Sequence, residues 1–168
     1  MNKWTKISLF CITALCLIGC DRVTKDLAKQ HLVDRPTISY FHDTLRFLYV
    51  ENTGAAMGLG DNLPKAASFW LLSILPLAFL LLMAAYAIRK TQQMHFTKLV
   101  ALSMIIAGGL GNVIDRLLFD RHVTDFINIG IGNIRTGIFN LADFYVSMGA
   151  ILLIISFRKS PKDPVPIQ

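Results

Sequence analysis

The stretch A-A-S-F-W-L-L-S-I-L-P-L-A-F-L-L-L-M-A-A-Y-A-I (66–88) runs for 23 residues without a charge. Coiled as a helix, it is long enough to cross the ~30 Å hydrocarbon layer of a bilayer at ~1.5 Å per residue. It is apolar all round, as a membrane span is and a surface helix of a soluble domain is not. Pro76 lies inside it, where a membrane helix tolerates a kink. This reading sets the frame for the rest of the chain.

Three more blocks carry no charge: Ile7–Cys20, Leu99–Ile114 and Phe144–Ile155. Each falls short of the ~20 residues a span requires, and each becomes long enough if the helix continues into its polar flanks. The expected spans are about 6–26, 66–88, 97–118 and 140–157, joined by outer loops 27–65 and 119–139. Apolar residues make up 54% of the 168 residues and mean hydropathy is +0.51, above the ~45–50% apolar content of soluble domains. The chain is therefore expected to be a single integral membrane domain of the membrane α class, a four-transmembrane-helix bundle. Its outer loops are expected to form a small extracytoplasmic β-sheet.

Lysine and arginine set the orientation. Lys3, Lys6, Arg89, Lys90, Lys98, Arg158, Lys159 and Lys162 fall on the N-terminus, the 89–98 loop and the C-terminal tail, with Asp163 the one acid among them. That side is expected to be cytoplasmic, with both termini on it. The net charge of +6 then reflects topology, and nucleic acid is not an expected partner. Cys11, Cys16 and Cys20 all lie in the first span, so no disulfide is expected. His31, His42, His95 and His122 are scattered, and no metal site is expected.

Residues 1–20 end in L-I-G-C, which is similar to a lipobox, and a cleaved lipoprotein signal is one reading of them. A retained span is the expectation, because Asp21–Gln30 continue as a charged helix. Asp21/Lys25 and Arg22/Asp26 pair there at i,i+4. Outside the spans, L-R-F-L-Y-V (45–50) reads as a strand and E-N-T-G-A-A-M-G-L-G (51–60) as a small-residue turn or loop. V-T-D-F-I-N-I (123–129) can pair with N-I-R-T-G-I-F (133–139) as a hairpin around Gly130–Gly132. The tail S-P-K-D-P-V-P-I-Q (160–168) is expected to lack fixed structure.

Asp125 and Asp143 stand at opposite ends of the last outer loop, each beside the lipid. A carboxylate there is costly, which suggests that the two meet. Two adjoining carboxyl groups can share a proton and hold a water, the apparatus of an aspartic peptidase. Taken alone, Asp143 reads equally as a helix cap and Asp125 as a solvated loop acid. Asp115 and Arg116 could be an interfacial ion pair. Asn112, one turn earlier, lets all three point at one site. Gly108, Gly109 and Gly111 fit helix packing or pocket lining; a nucleotide loop would need a following K-[ST].

D-R-V-T-K (21–25), N-T-G-A-A-M (52–57), A-G-G-L-G-N-V-I-D-R (107–116), V-T-D-F (123–126) and F-N-L-A-D (139–143) resemble, in order and spacing, the motifs of the lipoprotein signal peptidases (signal peptidase II). Arg22 replaces a usual glutamine, Met57 a usual aromatic, and A-G-G a usual G-G-A. The resemblance implies an aspartic endopeptidase of the bacterial inner membrane, cutting diacylglyceryl prolipoproteins before the lipidated cysteine at the outer face. It implies Asp125 and Asp143 as the catalytic dyad. Asn52, Gly54, Gly108, Asn112, Asp115, Arg116 and Asn140 would support the site or bind substrate, with Asp21 and Lys25 bracing it. No cofactor is implied; membrane lipid and globomycin-type inhibitors are the further partners, and a monomer is expected. The competing reading is a small polytopic transporter or channel subunit. Such a protein would place charges at mid-membrane, whereas here the acids gather at one boundary.

Overall fold

The computed structural model describes residues 1–55 and 59–158. Met57 and the tail 160–168, about which the sequence raised expectations, lie outside the described residues. The elements run in the order α1 (Lys3–Leu32), β1 (Ile38–Tyr40), β2 (Leu45–Asn52), α2 (Lys65–Phe69), α3 (Leu75–Lys90), α4 (Phe96–Leu118), β3 (Val123–Ile131), β4 (Ile134–Arg135) and α5 (Leu141–Arg158).

α1 is 30 residues long, about 45 Å at the α-helical rise, so its charged outer half projects past a bilayer-sized layer. Asn2 caps it, its Oδ1 accepting from the Thr5 N–H at 2.8 Å. Lys6 Nζ donates to the carbonyls of Thr91, Gln92 and Met94 at 3.3, 3.2 and 2.9 Å. These carbonyls lie in the turn that follows α3, so one lysine fastens the start of α1 beside the α3–α4 connection. At the same end of the bundle, Lys98 Nζ lies 4.6 Å from the centroid of the Phe157 ring, near the end of α5.

The 66–88 stretch is one continuous rod, but it is not a uniform α-helix. A π turn, Trp70–Ile74, joins α2 to α3 immediately before Pro76. Proline lacks an N–H and its ring crowds the carbonyl four residues back, here that of Leu72. One widened turn accommodates both. Three helical segments, Lys3–Leu32, Lys65–Gln93 and Phe96–Leu118, are long and apolar enough to cross a membrane. α5 is as apolar and shorter.

α4 is the central helix: half of its apolar window is buried, against 11% for α1. Phe10, Leu80, Leu99, Leu102, Ile106 and Val113 form the core around it. The outward faces are also apolar, with Leu15, Phe79, Leu82 and Ile154 each more than half exposed. A contiguous apolar exterior of this kind belongs in lipid. Between α4 and α5 the spacing is set by glycine. A Cβ on Gly108 would stand 2.3 Å from the Ala142 carbonyl oxygen, and one on Gly149 would stand 2.8 Å from that of Ala101. Gly108 is therefore a packing residue, whereas Gly109 borders a cavity described below.

The strands form one antiparallel sheet in the order β1-β2-β3-β4. Its middle pair joins distant segments, with Val50 opposite Asp125 and Asn52 opposite Val123, past an irregularity between Phe47 and Val50. The expected hairpin forms with a different turn. β3 runs on to Ile131, and Gly132 (φ 55) and Asn133 make a two-residue turn. The left-handed φ is one that glycine supplies freely, which places the turn at Gly132 rather than centring it on Gly130–Gly132. β4 is short, and beyond it the Thr136 N–H donates to the Ile129 carbonyl at 2.8 Å and a bridge pairs Phe139 with Ile127.

The α4–α5 crossing predicts a sharp contrast between glycines. Gly108→Ala forces backbone apart and should cost about 1–3 kcal/mol, the usual penalty of overpacking. Gly19→Ala, with nothing within 4 Å of the added carbon, should leave stability unchanged or raise it. Thermal unfolding of both variants in the same detergent tests the contrast, and equal midpoints would contradict the packing argument.

Candidate active site

Asp125 lies on β3 and is 3% exposed. Its Oδ2 accepts from Asn52 Nδ2 at 2.9 Å and its Oδ1 from Asn140 Nδ2 at 2.7 Å. β2–β3 pairing delivers Asn52 to this carboxyl, and the chain entering α5 delivers Asn140. Asn52 is itself fully engaged: its second amide hydrogen goes to the Ala55 carbonyl and its Oδ1 accepts from the Gly54 N–H.

Asp143 sits in the first turn of α5. Its Oδ2 accepts from the Asn140 backbone N–H at 3.1 Å, while its own N–H donates to Asn140 Oδ1 at 3.0 Å. This reciprocal exchange is a capping box built from asparagine and aspartate. Its other oxygen, Oδ1, accepts from Asn112 Nδ2 at 2.7 Å. Asp143 is thus a helix cap and a partner in the inter-helix network at once. Asn140 touches both acids through one side chain, and its Nδ2 also donates to Asn112 Oδ1 at 3.2 Å.

Beneath this web lies a fully buried lysine. Lys25 Nζ forms ion pairs with Asp21 Oδ2 at 2.8 Å and Asp115 Oδ2 at 2.9 Å and donates to Asn112 Oδ1 at 3.0 Å. Asp21 Oδ1 in turn accepts from the Ala142 N–H at 2.9 Å, satisfying another orphan donor of α5. A Cβ on Gly111 would fall 2.7 Å from Asp21 Oδ2, so only glycine lets α1 approach α4 here. Arg22, a departure from the family pattern, has a partner of its own. Its Nη1 reaches Asp115 Oδ1 at 3.1 Å, and its guanidinium also pairs with Asp26.

Asp115 and Arg116 do not pair with each other, nor do Asn112, Asp115 and Arg116 converge on one point. Successive helical residues are set ~100° apart, so Asp115 and Arg116 must diverge. Asp115 faces α1 and Lys25. Arg116 faces the other way, its Nη2 donating to the Gly54 carbonyl at 2.7 Å.

Asn52, Asn112, Arg116, Asp125 and Asp143 line one end of a cavity of about 630 Å³. Pro76, Gly109, Val113, Phe144 and Val146 line its apolar side. Asp21, Lys25, Asp115 and Gly108 are not in its wall; they hold the residues that are. Ile138 and Phe139 also border it. Phe139 belongs to the F-N-L-A-D motif (139–143), whereas Ile138 lies outside the motifs, an apolar residue next to a loop carrying no distinguishing pattern.

Burial raises the Asp125 carboxyl from its ordinary 3.8 to about 6. The charge of Asp143 adds to this, and hydrogen bonds from Asn52 and Asn140 oppose it. The site is thus a pair of carboxyl groups at the boundary of an apolar bundle, one of them shifted toward neutrality. That arrangement suits proton transfer to and from a bound water and a scissile amide.

Such a site on such a bundle defines a class, the membrane-embedded hydrolases with paired acids. A family model described as Signal peptidase (SPase) II matches residues 13–159, and the chain belongs to that family. The lipoprotein signal peptidase of Clostridium tetani is 41% identical over 140 residues, covering 83% of this chain and 85% of that protein. The lipoprotein signal peptidase of Desulforapulum autotrophicum is 30% identical over 164 residues, covering 96% and 99%. Two solved structures described as bacterial membrane enzymes superpose with TM-scores of 0.77 and 0.73. They are 30% and 29% identical, covering 96% and 92% of this chain and 95% of each of theirs.

Two outcomes follow from this geometry. Lys25→Met leaves Asp21 and Asp115 buried without their shared counter-charge and should cost about 3–5 kcal/mol. Unfolding in detergent measures it, and a loss below 1 kcal/mol would refute the role. The second outcome concerns pH. With its carboxyl raised, folded Asp125 holds its proton more tightly than the unfolded chain does. The resulting stability is fully present below about pH 4 and is lost as pH rises through about 6, on the order of 3 kcal/mol in all. Lowering pH from 7 to 4 should therefore shift the stability difference between wild type and Asp125→Asn toward wild type by that order. A difference independent of pH would contradict it.

Proposed function

We propose that this protein is an aspartic endopeptidase that removes the signal peptide from diacylglyceryl-modified prolipoproteins, cutting on the amino side of the lipidated cysteine. One observation carries the reading: Asp125 and Asp143 are held on the same asparagine at the polar end of a cavity whose other wall is apolar. A peptide bond can lie against the acids while acyl chains occupy the apolar side. Each CH₂ so buried contributes roughly 0.8 kcal/mol, enough to anchor a lipidated substrate and leave an unlipidated one unbound.

In the chemical step one carboxylate takes a proton from water as the water attacks the scissile carbonyl. The other carboxyl, carrying a proton, gives it to the departing nitrogen. Asp125, raised to about 6, is suited to carry that proton. Asp143 keeps Asn112 and the α5 N-terminus against it and is suited to act as the base. Arg116 offers its positive charge to the carbonyl oxygen as negative charge develops there. Asn52 and Asn140 keep both acids in register. No cofactor takes part. Globomycin-type inhibitors would occupy the same cavity.

The embedding follows the same logic. α5, about 27 Å long by helical rise, forms the fourth span beside the three longer segments. Together the spans and outer loops make one integral membrane domain, which acts as a monomer in the surrounding lipid. The end bearing Lys6, the 91–94 turn and Lys98 is cytoplasmic by its cation excess. The sheet and both acids then lie at the outer face of the bacterial inner membrane. α1 is retained, since cleavage before Cys20 would strip Phe10 from the core and Lys6 from the turn it fastens.

Asp125→Asn and Asp143→Asn should each lose at least about 10³-fold in cleavage of a diacylated precursor peptide and still be folded, on the scale of removing an essential acid or base. Purified variants assayed beside their melting curves decide it, and either variant cutting at the wild-type rate would overturn the assignment. A transporter would instead show aspartate-dependent cation flux in proteoliposomes, and none is expected.

A further inference from the structure

A second pocket, of about 410 Å³, lies where α2 begins and α4 ends. Its wall includes Lys65, Trp70, Arg116, Asp120 and Arg121, three cations and one acid. Lys65 Nζ and Asp120 Oδ2 are 3.3 Å apart, but their side chains are 80% and 73% exposed. An ion pair so exposed holds neither group tightly.

Arg121 is different. Its Nε and Nη2 are both buried, and neither has an acceptor among the described residues. These two N–H groups form one edge of the guanidinium, the edge that grips a phosphate or carboxylate with two parallel hydrogen bonds. A buried donor without an acceptor costs about 1–3 kcal/mol, and a rotation of this pocket-lining side chain that brought the edge onto an anion would relieve that cost. The local backbone is arranged to put it there. The Arg121 N–H closes on the Arg116 carbonyl at 3.0 Å, through Asp120 (φ 45) and Arg121 (φ 75), both left-handed although neither is glycine.

The surroundings identify the anion's source. Trp70 is 61% exposed and Leu117 44% exposed on the apolar exterior of the bundle, so the pocket opens toward lipid with an aromatic ring at its lip. Tryptophan at that level marks the headgroup layer. A wall carrying Lys65, Arg116 and Arg121 at the headgroup layer attracts a phosphate by charge. We propose that this pocket seats the phosphate of an anionic phospholipid, with Arg121 gripping it and Lys65 supplying the second positive charge. Arg116 stands in the wall shared with the two-aspartate cavity, so the lipid would sit behind the residue that faces the substrate carbonyl. The inference rests on the proposed membrane embedding and not on the peptidase chemistry.

The test uses the full chain carrying Trp4→Phe, so that Trp70 is its one tryptophan, in otherwise neutral vesicles. Quenching of Trp70 is titrated with brominated-chain phosphatidylglycerol and with equally brominated phosphatidylcholine. Phosphatidylglycerol should bind about tenfold more tightly, and Arg121→Gln should abolish the preference. Lys65→Gln, on an exposed side chain, should weaken it about threefold and keeps the test valid should Arg121→Gln unfold. Cleavage in neutral detergent should be unchanged in both variants. Equal quenching by the two lipids, a preference untouched by either substitution, or displacement of the lipid by equimolar inorganic phosphate would overturn the proposal.

Discussion

The structure depends on one buried ammonium group. Lys25 is inaccessible to solvent, yet its ammonium group sits against Asp21, Asp115 and Asn112. Isolated in an apolar bundle, a charge of this kind would be untenable. Held by two carboxylates and an amide, it becomes the pin that fixes α1 against α4. Through Asp21 it reaches the Ala142 N–H of α5, and through Asn112 it reaches Asp143. Moving that nitrogen would disturb both acids at once. A buried ion cluster of this kind gives little net stability over an apolar replacement. What it does give is a single allowed register for three helices, which a lipid-facing bundle of leucines and isoleucines does not specify.

How much of this was legible beforehand follows from the range over which each feature acts. The 66–88 stretch declares its helix by composition alone, and the i,i+4 spacing of Asp21 and Lys25 foretells their pairing. L-R-F-L-Y-V reads as a strand for the same local reason. The partner of that strand is 70 or more residues away (Leu45 opposite Ile129, Asn52 opposite Val123), and nothing in either segment names the other. The π turn before Pro76 is likewise beyond a residue count, since proline requires relief without dictating its form. The burial of Lys25 and Asp21 is not legible in their spacing, because sequence shows spacing and not depth. Asp115 illustrates the converse error: three polar residues within one turn need not share a face, and here they serve two.

Asp143 shows why structural and functional readings of a residue need not compete. As a cap it accepts from the Asn140 N–H, and as a member of the site it accepts from Asn112. A carboxylate has room for both, having two oxygens and about four lone pairs. The cap fixes its rotamer, so in the proposed reaction its free lone pairs would face the cavity without an entropy cost. A site carried on a helix terminus is more rigid than one on a loop, and this one borrows the rigidity of α5.

Charge balance ties the two halves of the molecule together. Around the pin, Lys25 and Arg22 face Asp21, Asp115 and Asp26, so every cation there is matched by acid. At the cavity, Arg116 faces two acids, one negative charge too many for a site bordered by hydrocarbon. Burial, with the charge of Asp143 added to it, raises the Asp125 carboxyl to about 6 despite two amide donors. The brace beneath the pair has no unmatched cation to offset that burial.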